Sequence, residues 1–105
     1  MLEAEVSERN NVIEPSDYLA LRDFLRGYLN QDAVAIHGTA IRAAHAFRKD
    51  ADRRETAIVH TELQRLLAET NTLPDSELAE VLESLGNAWR FRSRLEVEQL
   101  CDALT

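Results

Sequence analysis

Residues 18–29 read YLALRDFLRGYL, and the spacing of their apolar side chains decides the fold class. Placed at 100° per residue, Tyr18, Leu21, Phe24, Leu25, Tyr28 and Leu29 fall within an arc of about 140°, while Asp23 and Arg26 lie outside it. Such a stripe belongs to a helix that presses one side onto a core. Pro15 and Ser16 mark its start, because proline is tolerated in a first turn whose amide has no partner in any case. Asn30-Gln31-Asp32 ends it, and Ala33-Val34-Ala35-Ile36 is expected to cross to the next helix as a short apolar connection.

Working outward, the same period recurs. Gly38-Thr39 opens a second helix with Thr39 as its N-cap, and Ile41, Ala44 and Phe47 are expected to face inward. The charged run Arg48 to Arg54 reads as a turn or a helix start. A third helix follows to about Thr70, with Val59, Leu63, Leu66 and Leu67 on one side. After Pro74, Asp75 is placed to cap a fourth helix carrying Leu78, Val81, Leu82 and Leu85. Gly86 stands where a left-handed residue closes a helix, since glycine has no Cβ to clash. Ser93-Arg94-Leu95-Glu96 has the capping-box pattern, ahead of Val97, Leu100, Cys101 and Leu104. Between these helices Trp89 and Phe91 alternate with Arg90 and Arg92, and are expected to close one end of the core. The chain thus reads as all-α, a compact bundle of about five helices over residues 15–105. Residues 1–14 have no sustained period and are expected to form a flexible arm, with Val12 and Ile13 able to dock on the body.

The composition bounds the function. The chain has 105 residues and a formal charge of −7, from 19 acids and 12 bases. This balance repels phosphate backbones and argues against a nucleic-acid or anionic-membrane ligand, but suits a basic partner. The charge is uneven: residues 41–56 hold five bases against three acids, and residues 57–89 one base against six acids. Cys101 is the single cysteine, so no internal disulfide forms and a reducing compartment is the natural setting. The acidic N-terminus, MLEAEVSERN, lacks the basic and apolar regions of a signal peptide. The apolar runs are too short to span a membrane. A cytoplasmic location is expected.

Few residues offer chemistry. His37, His45 and His60 lack the i, i+4 spacing of a helical zinc site and have no cysteine cluster beside them, so they read as core-edge or surface histidines. Cys101 lies on an apolar stripe and reads as a small buried hydrophobe rather than a nucleophile. No Walker loop, dinucleotide fingerprint or nucleophile elbow is present. Neither metal nor cofactor is expected, and the chain does not read as an enzyme. Acidic side chains are the more informative feature. Glu77, Glu80 and Glu83 occupy the side of the fourth helix opposite Leu78 and Leu82, and Glu62 and Glu69 project from the third. With Asp32 and Asp75 they make the candidate partner-binding set, chosen on exposure and charge; a merely solvated face is the alternative. For Gln31 and Asp32 the alternative is a structural role in closing the first helix.

The run YLALRDFLRGYLNQD at residues 18–32, followed by Gly38-Thr39, resembles the contact-dependent growth inhibition immunity proteins. The likeness continues in Ala44 to Phe47, in Glu62-Leu63-x-x-Leu66-Leu67-Ala68 and in Leu82 to Gly86, and covers roughly residues 17–104. It implies a cytoplasmic, non-catalytic inhibitor that binds a cognate toxin domain, often a nuclease, and blocks its substrate site. A monomer or weak homodimer is expected. Two other readings stay open: a generic helical interaction module, as a homodimer or a regulatory adaptor, that uses Trp89 and Phe91, and a small enzyme or metal protein built on the histidines.

Overall fold

The computed structural model describes residues 14–105, apart from the side chain of Val34. The expected arm therefore lies outside the described residues, save for exposed, extended Glu14. A 3₁₀ turn, Pro15–Tyr18, runs directly into α1 (Leu19–Tyr28). There follow α2 (Ala33–His37), α3 (Ala40–Asp50), α4 (Arg53–Glu69), α5 (Asp75–Ser84) and α6 (Arg94–Ala103), with no strand among the described residues. The chain is all-α, as its periodicity requires.

Local chemistry sets most boundaries. Thr39 Oγ1 accepts from the Arg42 amide at 3.1 Å and starts α3. Asp52 Oδ1 accepts from the Glu55 amide at 2.7 Å and starts α4, so the charged run divides into the end of α3, a break at Ala51-Asp52 and a new helix. The expected connection at residues 33–36 is instead the one-turn helix α2. Asn30 makes it possible: its side-chain amide donates to Arg26 O at 3.2 Å, and its Oδ1 accepts from the Asp32 amide at 3.0 Å. Gly38, at φ +87°, then closes the turn. Four residues are too few for a helical period to be seen in sequence.

Tyr18, Leu21, Phe24, Leu25 and Leu29 are buried, and through them α1 packs mainly against α4 and also meets α3. Helix α6 packs on both α3 and α4. Helix α3 turns Ala40, Ala43, Ala44 and Phe47 inward; Ile41, expected there, is only half-buried. The small alanines allow close approach, and Phe47 meets Phe24 edge-on with ring centroids 4.9 Å apart. Leu78 and Leu82 of α5, and Leu85 just beyond it, complete one continuous core with Val97, Leu100, Cys101 and Leu104. A fully buried leucine contributes roughly 1.5–3 kcal/mol.

The α5–α6 loop is tied down by backbone and side-chain bonds. Gly86 adopts φ +105°, and the Ala88 amide donates to Leu29 O at 2.8 Å, joining the loop to the end of α1. Asn87 brackets Trp89, donating to its carbonyl at 2.6 Å and accepting from its amide at 3.1 Å. Phe91 is buried and Trp89 half-buried against the core.

Leu82→Ala should lower the unfolding free energy by about 2–5 kcal/mol, measured by urea denaturation. Gly86→Ala should cost about 1–2 kcal/mol, because an alanine there must take a left-handed conformation. Its Cβ would also sit 2.6 Å from Arg26 Cγ. Adding Arg26→Ala should recover only the part due to that crowding.

Candidate partner-binding surface

The seven candidate carboxylates fall into two groups once their surroundings are known. Glu62 is half-buried, and its Oε1 accepts from the Leu21 amide at 2.9 Å. Leu21 lies in the first turn of α1, which has no side-chain cap of its own. Glu62 therefore caps α1 from a different helix, satisfying an amide that α1 leaves without an internal partner. Glu69, one face along α4, accepts from the Tyr18 hydroxyl. Burial, and then this carboxylate, hold the Tyr18 phenol above its ordinary pKa. Between them Arg65 lies 4.7 Å from the Tyr18 ring centroid and donates to Asp17 O. Glu62, Arg65 and Glu69 together clamp the entry to α1.

Asp75 does not cap α5 with its side chain. It is the first helical residue, and its Oδ1 accepts from the Arg94 amide at 3.1 Å. The expected capping box at residues 93–96 is likewise rearranged: Ser93 makes no side-chain cap bond, and Glu96 takes the amide of Arg92 instead. Arg94 has a role that spacing does not reveal. Its guanidinium donates to Leu67 O at 3.2 Å and to Thr70 O, which also accepts from the Leu73 amide, and so places a positive charge at the carbonyl end of α4.

Glu77, Glu80 and Glu83 are different. All three are exposed, three residues apart on α5, on the side away from buried Leu78 and Leu82. Asp32 is also exposed, in the turn before α2, where its backbone carbonyl accepts from the Ile36 amide at 3.0 Å. Like charges at i, i+3 destabilise a helix by about 0.2–0.5 kcal/mol per pair. Glu83 also lies in the last turn of α5, where the helix dipole disfavours an anion and no basic residue is present. The Glu77–Glu80 and Glu80–Glu83 repulsions and the placement of Glu83 are thus unfavourable to α5, whereas Glu77, in the first turn, suits the helix dipole.

The histidines do not converge. His37 is half-buried and stacks on Tyr28 with centroids 5.8 Å apart, His45 is exposed, and His60 is half-buried. Among the described residues no three His, Cys, Asp or Glu side chains are grouped to hold a metal ion. Cys101 is buried, and burial pushes its thiol up to about 11, which keeps it protonated at neutral pH. None of the helices described is long and apolar enough to cross a membrane.

Residues 17–100 match the family model of the CdiI immunity proteins. The match spans most of the chain, and the chain belongs to this family, whose members neutralise the toxins of contact-dependent growth inhibition. No curated protein and no solved structure matches it significantly.

The two groups of carboxylates should separate by stability. Glu62→Ala should cost about 1 kcal/mol, the worth of a helix cap, whereas Glu80→Ala should stay within about 0.5 kcal/mol of the parent. Urea unfolding followed by circular dichroism checks both.

Proposed function

We propose that the chain neutralises its toxin stoichiometrically, without catalysis, by laying the acidic face of α5 over a basic, phosphate-handling active site. The toxin domain on this reading is a nuclease, and inhibition takes place in the cytoplasm. Glu77, Glu80 and Glu83 are the principal contacts, with Asp32 as a further exposed carboxylate. Glu62, Glu69 and Asp75 already accept hydrogen bonds from Leu21, Tyr18 and Arg94, so their part in binding is peripheral.

The observation that carries this reading is the exposed row of Glu77, Glu80 and Glu83 on the face of α5 turned away from the core. A protein that carries like charges on one helix face, at a cost to that helix, gains from them when a complementary surface arrives. Enzymes that hold phosphate present such a surface, and the net charge of −7 draws it in from beyond contact distance. The alternative in which Trp89 and Phe91 form the contact is weakened by the burial of Phe91. Only Trp89 would remain available.

A triple variant, Glu77→Lys, Glu80→Lys and Glu83→Lys, tests the reading. Its helicity should match the parent, since none of the three touches the core. Its association rate with its cognate toxin domain should fall at least about tenfold at low ionic strength, and the difference should shrink as salt is added. An unchanged association rate at low salt rejects α5 as the contact face.

A further inference from the structure

One feature of the opposite charge stands out from this acidic molecule. Where the end of α3, the first turns of α4 and the end of α6 meet, there is a depression of about 500 Å³. Arg53, Thr56, Ala57 and His60 line it from α4, Arg48 from α3, and Leu104 from just beyond α6. The α4 residues are spaced i, i+3, i+4 and i+7, so they form one face of that helix. Glu55 and Glu62 point to the other side, toward α1, where Glu62 caps Leu21. Asp52, the acid next in sequence to Arg53, is engaged with the Glu55 amide. The meeting of α3 and α4 has therefore set two guanidinium groups, Arg48 and Arg53, at one depression in a chain where acids outnumber bases. A second, shallower depression shares Arg48 and adds His45 and Lys49, extending the positive rim.

We propose that this depression is a second contact site for the toxin, receiving the carboxylate of an aspartate or glutamate side chain from an acidic loop. The inference rests on the toxin-binding reading above. Guanidinium groups suit the occupant because they bind carboxylates with two parallel hydrogen bonds. Arg48 is partly preorganised, since one of its nitrogens already donates to Ala103 O at 3.4 Å, and less side-chain freedom is lost when a ligand arrives. Ala57, which is exposed, offers apolar contact to the methylenes of the incoming side chain. The distance also permits one partner to reach both sites. Asp75, where α5 begins, bonds to Arg94 at the far end of α4 from Arg53, and α4 is about 25 Å long at 1.5 Å per residue. A standard interface of ~800 Å² per partner is about 30 Å across.

What such a site adds is register. An acidic face alone attracts any basic protein, whereas a positive pocket beside it rejects partners that lack an acid at the matching position. A non-specific attraction and a specific pocket make opposite predictions for the same variant. Arg48→Gln with Arg53→Gln makes the protein two charges more negative. If net charge alone governs capture of a basic toxin, this variant binds more tightly. If the pocket holds a carboxylate, dissociation from the cognate toxin domain should quicken at least about tenfold, while association stays level or rises slightly. Arg53→Gln alone, at an exposed position away from the Arg48–Ala103 bond, should give a smaller change in the same direction, which separates the pocket from loss of that bond. Binding that is unchanged or tighter in both variants overturns the pocket. Failure of the parent protein to bind the toxin domain overturns the pocket together with the toxin-binding reading, whereas parental binding with indifferent variants sinks the pocket alone.

Discussion

The structure depends on the docking of α1 along α4. Helix α1 supplies the broadest apolar stripe in the chain, but its own start has no side-chain cap. The missing partner comes from α4, where Glu62 takes the Leu21 amide and Glu69 takes the Tyr18 hydroxyl. Burial of Leu21, Phe24 and Leu25 drives the two helices together, and these polar contacts select the register in which they meet. A shift of one helix along the other would leave an amide and a phenol at the core boundary without acceptors. Such a loss costs more than the net worth of the bonds when made.

Charge in this protein is divided between internal and external work. Arg94 covers the carbonyls that end α4, and Arg48 reaches the carbonyl of Ala103 at the end of α6. Asp52, Glu62, Asp75 and Glu96 receive backbone amides. These groups complement the dipoles of the helices they close. Once they are set aside, the exposed acids of α5 and Arg53 are among the described charges with no such internal bond, while Arg48 serves both the end of α6 and the basic depression. A small domain has few polar side chains to spare, so residues left out of this accounting are the natural candidates for binding.

The aromatic residues show a similar division. Phe24, Tyr28 and Phe47 pack into one cluster with His37 stacked at its edge, and the Tyr28 hydroxyl donates to Asp50 at 2.7 Å. That bond, with a smaller effect of burial, raises the Tyr28 phenol above its ordinary pKa. His37, which the sequence places at the core edge or the surface, is thus part of the packing between α1 and α2. The alternation of Trp89 and Phe91 with arginines, which superficially resembles a base-stacking strand, instead plugs the loop that joins α5 to α6.

Sequence by itself determined the helices and the stripes they bury, because a 3.6-residue period and an N-cap such as Thr39 or a closing glycine such as Gly86 act over neighbours in the chain. It also determined the acidic balance and the outward side of α5, since Glu77, Glu80 and Glu83 follow from the positions of Leu78 and Leu82. Only the tertiary structure separated these acids from Glu62 and Glu69, whose partners lie 41 and 51 residues away. It likewise reassigned Asp75 and Arg94, and assembled a basic depression from the ends of three helices. The reason is physical: periodicity reports which side of an element is buried, but not which element covers it, and a hydrogen bond between distant segments leaves no trace in local spacing.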